Sequence, residues 1–507
     1  MATEAPRSIA IRVDGGTRMG SGHVIRCLSL AGRLAGNGAA ITFICRPLPG
    51  DLVENIEREG YPVVRLTPSA GAADSKAAVN WLQVPKLQDR TETCEVLEQL
   101  RSECLIIDHY GIDAEWERAQ RRWVKRIVVI DDLADRPHDC DVLLDQNFFG
   151  CQTGNRYAGL VPTHCRLLLG PRYALLQRDY ANLRAALVPR RGAPRRVLVF
   201  FGASDATDET SKALRALQAP ELAHLAVDVV LGVNHPAPEA VAAAAAQRPG
   251  TAIFKDLSTL AGLMFRADLA IGAGGVATSE RLCMGLPSIV VTLAPNQEGP
   301  VSHLADAGAV IWAGRAASVS VAELTTAVSC ALRSAADPPP LVDGHGVARA
   351  GAAIVPPLPS RLRLRRARIA DAGLLFDWRN EPLTREMSFD SSPIVWQTHF
   401  EWFQAKLSDR NSDMVIGEVE GLPAGQARLD FRNDEAVLSF SVDPDLRGLG
   451  FGRALVERAL LFGRSRAARR FIARVKPENA ASRNIFQQLG WRETMVDGGL
   501  EYRGGQR

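Results

Sequence analysis

Apolar positions in the first third of the chain fall into short, nearly continuous runs separated by stretches of helical spacing. The runs Ile9–Val13, Ala40–Cys45, Cys104–Asp108, Arg126–Ile130 and Asp141–Leu144 predict strands. Continuous rather than alternating runs suit a parallel sheet covered on both faces. The pattern starts afresh after Ala193, with strands expected at Ala226–Leu231, Ala252–Phe254, Leu269–Ile271, Ser288–Thr292 and Ala309–Ala313. Two doubly wound α/β lobes are therefore expected, over 8–187 and 188–335, joined near Tyr180–Pro194. The alanine run 240–246 favours helix. A proline- and glycine-rich stretch over 336–360 reads as a linker, because proline lacks a donor and resists helix and central strand alike. Beyond it, Asp413–Val419, Gly425–Phe431, Ala436–Val442 and Phe471–Val475 predict the strands of a smaller α+β domain over 361–507.

Length and charge agree with that division. At about 150 residues per domain, 507 residues make roughly three domains. Lys and Arg number 60 against 57 Asp and Glu, a net charge of +3, which points to neither a nucleic-acid nor a membrane partner. Hydrophobic content of 46% with 23% charged residues excludes disorder along most of the chain. Met1–Ala10 has no apolar core of signal-peptide length, and no window is long and apolar enough to span a membrane, so a cytoplasmic enzyme is expected. Nine cysteines without a C-x-x-C pair read as reduced thiols, neither a disulfide framework nor a zinc site.

The first chemical signal is the glycine-rich stretch from Arg12 to Arg26, where a strand ends and a helix begins near Gly22–Val24. In an open α/β sheet that is the edge where ligands bind. Gly15, Gly16, Gly20 and Gly22 allow close backbone approach, the helix start favours an anion, and His23 and Arg26 project there. A tight turn carrying a surface histidine accounts for the glycines equally well. No Gly-Lys-Ser/Thr follows, and no G-x-G-x-x-G is present. Asp14 either positions this loop or His23, or caps the turn; Tyr110 also suits a buried strand end. In the second half, Gly274 and Gly275 offer amides to a diphosphate, and Glu280 suits ribose hydroxyls. A packing turn with Glu280 as a favourable charge near the helix start is the alternative. Asp139-Cys140-Asp141 fits capping and solvation better than a metal.

Taken in order, Arg12-x-Asp14, Met19-Gly20-Ser21-Gly22-His23-x-x-Arg26, Asp108-His109-Tyr110-Gly111, Asp131-Asp132-Leu133-Ala134, Gly170-Pro171-Arg172-Tyr173-Ala174-Leu175-Leu176 and Ala294-Pro295-Asn296-Gln297 resemble the PseG family of UDP-sugar hydrolases of pseudaminic acid biosynthesis, over about 8–335. The resemblance implies two Rossmann-like lobes of the GT-B kind seen in MurG, with a cleft between them. It makes His23 the catalytic histidine and gathers Arg12, Asp14, Gly22, Arg26, Tyr110, Gly274, Gly275, Glu280, Asn296 and Gln297 around a UDP-sugar. The implied reaction is inverting, metal-independent hydrolysis of UDP-2,4-diacetamido-2,4,6-trideoxy-β-L-altropyranose at C1, releasing UDP. Imidazole titrates near neutrality and suits a general base for the attacking water.

In the last domain, Arg447-x-x-Gly450-x-Gly452 lies between a predicted strand and helix, where consecutive amides form a nest for pyrophosphate. With Lys476-Pro477-Glu478-Asn479, Ser482, Phe486 and Gly490-Trp491 it resembles the GNAT acetyltransferases over about 361–507. That resemblance implies acetyl-CoA as cosubstrate, held by Val442, Arg447, Leu449, Gly450, Phe451, Gly452, Arg453, Asn479 and Ser482. Trp378-Arg379-Asn380-Glu381 and His399-Phe400-Glu401-Trp402-Phe403 look like the PseH branch, which N-acetylates the 4-amino group of a UDP-amino sugar. Phe486 departs from the family, because a tyrosine often stands there to protonate the leaving thiolate. At least two of Trp378, Trp396 and Trp402 are expected in the core, with His399 as a packed structural histidine. The expectation is a bifunctional enzyme whose ligands are UDP-amino sugars, UDP and acetyl-CoA, without metal. A GT-B glycosyltransferase, gluco-configured substrates and a CoA-binding regulatory module are the alternatives.

Overall fold

The structure, a computed structural model, describes residues 8–68, 81–187, 190, 192–203, 205–232, 235–255, 257–333 and 338–504. It forms two compact units, 1–355 and 356–507.

The first unit holds two parallel sheets. The first lobe is built from β1 (Ser8–Val13), β2 (Ala40–Cys45), β3 (Val63–Arg65), β4 (Cys104–Asp108), β5 (Arg126–Ile130), β6 (Val142–Asp145) and β7 (Arg166–Leu169). Their order is β3-β2-β1-β4-β5-β6-β7. Apolar clusters cover both faces of this sheet, which is why its strands read as unbroken apolar runs. The helix Gly22–Gly36 buries Val24, Cys27, Leu30, Ala31 and Leu34, one helical face, against β1 and β2.

The second lobe holds β8 (Arg196–Phe200), β9 (Ala226–Leu231), β10 (Thr251–Lys255), β11 (Leu269–Ala273), β12 (Ser288–Thr292) and β13 (Ile311–Arg315), ordered β10-β9-β8-β11-β12-β13. The strand expected at Ala309–Ala313 begins two residues later. Ala309 and Val310 pack under the helix Pro295–Asp306, and pairing starts only where Ile311 meets Ile289. The alanine run does form a helix, Pro238–Ala246.

Both expected boundaries move. Tyr173 and Leu175 lie in the first lobe's core, whereas Ala174, Leu176 and Tyr180 lie in the second's. The crossing is therefore at 173–176, and the helix Arg178–Arg184 belongs to the second lobe rather than to a joint at 180–194. The stretch 336–360 is not a free linker either. Leu341 and Val342 pack into the second lobe, and the helix Gly346–Ile354 returns to bury Ala350, Ala353 and Ile354 in the first. Its glycines permit this return: Gly346 lies directly on the Tyr173–Ala174 backbone, and Gly351 on the Arg33 side chain.

The second unit is one sheet of β14 (Arg363–Arg366), β15 (Ser412–Val419), β16 (Leu422–Arg432), β17 (Glu435–Val442), β18 (Arg470–Val475), β19 (Arg492–Val496) and β20 (Gly499–Gly504). Its order is β14-β15-β16-β17-β18-β20-β19, antiparallel except for β17 and β18. Those two pair only where Glu435–Val437 meets Arg470–Ile472. Beyond that their pairing ends, and the helix Phe451–Ser465 packs on β16 and β17. Among the described residues no helix is long and apolar enough to cross a membrane.

Candidate active sites

In the first lobe the strand order reverses between β1 and β4, so the loops after these strands flank the crevice where doubly wound sheets bind ligands. The loop after β1 is folded back on itself by a bridge between Gly16 and Gly20, with Gly20 at φ +83°. It delivers His23 into the first turn of the Gly22–Gly36 helix, facing Asp108 at the end of β4. His23 Nδ1 donates to Asp108 Oδ1 at 2.5 Å. Asp108 also accepts from Arg26 Nε and Nη2, both at 2.6 Å, and from the Cys27 thiol at 3.5 Å. Burial alone raises a carboxyl, yet the Arg26 guanidinium and His23 hold Asp108 well below the usual carboxylate range. With Nδ1 spent on Asp108, Nε2 is the nitrogen left for chemistry.

Arg26 continues the array, donating from Nη1 to both oxygens of Asp132 at 3.0 and 2.8 Å. Tyr110 Oη and Asn147 Nδ2 donate to the same carboxylate. The Tyr110 ring stands edge-on to His23 with centroids 4.5 Å apart. Asp108, Asp132 and Asn147 were not among the expected site residues. Asp108 and Asp132 stood inside quoted motifs, but nothing in the spacing of the sequence brings them to His23 and Arg26.

Two expected ligand contacts are corrected. Arg12 and Asp14 are both 0% exposed. Arg12 spans Asp14 and Asp89, while Asp14 also accepts from the Arg46 backbone N–H and lies 3.2 Å from His109 Nε2. His109 Nδ1 accepts from Gly111 N, so its proton is on Nε2, toward Asp14. These charges neutralise one another beneath the loop and cannot reach a ligand. Through Arg12, the Arg46 backbone and His109, Asp14 ties the end of β1 to the ends of β2 and β4.

In the second lobe the order reverses between β8 and β11. Gly274 and Gly275 follow β11, and a side chain at Gly274 would meet Val301 and Gln297. Gln297 Oε1 accepts from Leu293 N, which fixes its side chain beside Gly274, while Asn296 is exposed at the start of its helix. Glu280 is pushed up to about 7 by burial, against a hydrogen bond from Tyr180. Across the cleft, a Cβ on Gly22 would stand 3.2 Å from Val276, and one on Gly299 would stand 3.1 Å from the Phe149 ring. The residue before His23 therefore lies against the second lobe's glycine turn.

Among the described residues one group, Asp205, Asp208 and His235, has the composition of a cation site. Its chemistry argues otherwise. Asp205 and Asp208 accept from the first amides of the helix Glu209–Ala216. His235 Nδ1 accepts from Ala237 N, which places the proton on Nε2 and leaves no lone pair to give a metal. Asp139 and Asp141 are bonded to Arg121, in keeping with a solvated, paired role.

In the second unit, Gly448 and Gly450 have φ of +77° and +86° and turn the chain into the helix Phe451–Ser465. The amides of that first turn have no intrahelical acceptor. Gly452 lets this helix approach the next, since a Cβ would stand 2.7 Å from Ile485. Arg447 is bonded by Nη2 to Glu381 Oε2 at 2.7 Å and to Thr384 Oγ1 at 2.8 Å. Its side chain ties the loop to the segment Glu381–Glu386. Asn479 caps the helix Ala480–Gln488 through Ser482 N. The Trp378-Arg379-Asn380-Glu381 run is wiring of the same kind: Trp378 Nε1 donates to Asp443, Arg379 to Asp390 O, and Asn380 exchanges two bonds with Ile394. Trp378 is core, but Trp396 and Trp402 are 42% and 39% exposed, against the expectation that at least two would be buried. His399 is buried, donating to Ala372 O, as expected. Phe486 is enclosed by Phe440, Trp491 and Tyr502.

Comparison with known proteins follows the same division. The acetyltransferase (GNAT) domain family matches residues 361–492. An uncharacterised protein of Methanocaldococcus jannaschii is 22% identical over 522 residues, covering 96% of this chain and 97% of that one. The spore coat polysaccharide biosynthesis protein SpsG of Bacillus subtilis is 25% identical over 67% of this chain and 96% of its own. The UDP-2,4-diacetamido-2,4,6-trideoxy-beta-L-altropyranose hydrolase of Campylobacter jejuni is 28% identical over 172 residues, 34% of this chain and 53% of that one. A solved N-acetyltransferase from Staphylococcus aureus aligns with 29% of this chain and 99% of its own, at 19% identity and a TM-score of 0.26. The chain thus joins a region similar to SpsG and to the Campylobacter UDP-sugar hydrolase to a C-terminal region that matches the GNAT acetyltransferase domain family.

Proposed function

We propose that the first unit hydrolyses a UDP-activated diacetamido sugar at C1 and that the second N-acetylates the amino sugar from which that substrate is made. The observation that carries the first half is the His23–Asp108–Arg26 array at the first lobe's crevice. Asp108, kept ionised by Arg26, holds the proton of His23 on Nδ1. Nε2 then accepts a proton from water as the water oxygen attacks C1 from the face opposite the departing UDP. The C1–O bond breaks with inversion, and amides at Gly274 and Gly275 stabilise the diphosphate charge. Tyr110, Asn296 and Glu280 are read as contacts to sugar and ribose, and Gln297 as a substrate contact beside the glycine turn.

For the second unit, the amides of Leu449–Arg453 and the place where β17 and β18 cease to pair fit the pyrophosphate and pantetheine arm of acetyl-CoA, which supplies the activated acetyl group. The chain's own residues hold this loop rigid through Arg447 and Glu381. Phe486 has no proton to give, so the leaving thiolate is protonated by solvent or departs as such, its ordinary pKa of about 8.5 permitting either. We assign the pair to cytoplasmic supply of pseudaminic acid, with the altro-configured sugar as substrate and no metal requirement.

The test is mass spectrometry and NMR of the protein with acetyl-CoA and UDP-4-amino-4,6-dideoxy-β-L-AltNAc, without added metal, and with the gluco isomer run alongside. Diacetamido UDP-sugar followed by free sugar and UDP is expected. Acetylation without free sugar overturns the hydrolase reading in favour of glycosyl transfer. Acetyl-CoA bound but never consumed makes the second unit a regulatory module.

A further inference from the structure

Cys140 and Cys165 are 25 positions apart, and no sequence pattern couples them. Cys165 immediately precedes β7, and Cys140 stands two residues before β6. Val142 of β6 pairs with Arg166 of β7 in parallel register, so the two thiols meet at the amino-terminal end of neighbouring strands, with Sγ atoms 3.6 Å apart. Neighbouring strands run about 4.8 Å apart, within the backbone spacing that a disulfide bridges. Cys140 is buried and Cys165 is partly exposed. The hydrogen bond between them lowers the Cys165 thiol and raises that of Cys140. Cys165 is thus the sulfur that meets solvent, with Cys140 buried behind it.

We propose that Cys140 and Cys165 form a reversible thiol–disulfide switch oxidised by hydroperoxides. The Cys165 thiolate attacks one peroxide oxygen, the O–O bond breaks, and two electrons leave sulfur. Hydroxide departs, takes a proton and becomes water, leaving a sulfenic acid. Cys140 then attacks the Cys165 sulfur as its proton passes to the departing hydroxide, the S–O bond breaks, and a second water forms. Two thiols and one peroxide thereby give one disulfide and two waters. The closed loop contains β6 and, at its far end, Asn147, Phe149 and Arg156. Asn147 bonds Asp132, and Phe149 lies against Gly299 and His303 of the second lobe. The disulfide stiffens this cleft-lining segment from the end of the sheet remote from His23.

The experiment treats the full chain with hydrogen peroxide, blocks remaining thiols by alkylation and maps peptides without reduction. A Cys140–Cys165 crosslinked peptide is expected, with loss of two hydrogens from the chain and an unfolding midpoint raised by several degrees, both reversed by a dithiol. The exposed Cys151 and Cys330 serve as internal comparators. Alkylation of both Cys140 and Cys165 under conditions that oxidise the comparators overturns the proposal. Cys140→Ser is expected to leave a Cys165 sulfenic acid that a 1,3-diketone traps. Trapping no more than at Cys151 overturns the assigned order of attack.

Discussion

Asp108 is fully buried yet ionised, and the donors around it explain how. Exchanging the carboxylate for an amide keeps the shape but no longer fixes the proton of His23 on Nδ1. Asp108→Asn is expected to lower kcat for hydrolysis by about a hundredfold or more with little change in KM. Acetyl transfer by the same variant serves as the control, and an unchanged kcat would remove Asp108 from the mechanism. Glu280 offers a test through pH. Its folded-state pKa, about 7, lies above the ordinary 4.5, so the native chain takes up a proton that the unfolded chain does not. Its contribution to stability is then full below about 4.5 and declines as pH rises to about 7. Glu280→Gln should raise stability at pH 8 by about 1–3 kcal/mol and change little at pH 4.5, measured by denaturant titration. Asp145, pushed up to about 6 by burial and by Asp132, leaves some slope in the same window. The KM for UDP-sugar should rise in Glu280→Gln if this carboxylate meets ribose. Residue types at the sites were legible in the sequence, because glycines, a histidine and strand ends mark the edge of a sheet. Partners were not: His23 and Asp108 are 85 positions apart, and only the β1–β4 pairing brings them together.

Among elements, the buried parallel strands were legible because both faces of each are apolar, so the run is unbroken. Three edge strands, β3, β14 and β19, were not. β3 is two half-buried residues and one exposed, β14 is Arg363-Leu364-Arg365-Arg366, and β19, joined to the buried β20 by a turn at Asp497-Gly498, is mostly exposed, so little is buried to mark these runs. The Asp-Gly pair is the one strong hairpin signal in this stretch. The loop before the Phe451–Ser465 helix depends on conformation as well as composition. Gly450 sits at φ +86°, which a β-branched residue adopts only at a cost of about 1–2 kcal/mol. Gly450→Val is expected to reduce acetyl transfer at least about tenfold by turning the amides away from the pyrophosphate, while hydrolysis is unaffected. Loss of both activities would show that the two sites are not independent.

At the scale of the whole molecule, the third compositional region was readable from the change in residue types, but its true start was hidden by the prolines around it. Proline and glycine mark a chain that cannot continue a helix, and this is equally true of a linker and of a strap laid on a surface. The helix Gly346–Ile354 makes the difference measurable. A fragment ending at Val355 should fold and keep hydrolysis, whereas one ending at 335 exposes the apolar bed of that helix and should lose several kcal/mol of stability or fail to fold. The complementary fragment from Pro356 should retain acetyl transfer, as expected of a separate compact unit. Equal stability of the fragments ending at 335 and 355 would return that helix to the linker.

The return of the chain has a mechanical meaning. The two lobes of the first unit are stitched by two passages, at 173–176 and at 342–346, and these lie against each other where Gly346 rests on Ala174 and Gly344 on Ala181. A single tether is a swivel, free to twist and slide, but two tethers side by side act as the spine of a book. Two passages restrict how the lobes can turn on one another more than one would, and in the arrangement they hold, a Cβ on Gly22 would stand 3.2 Å from Val276.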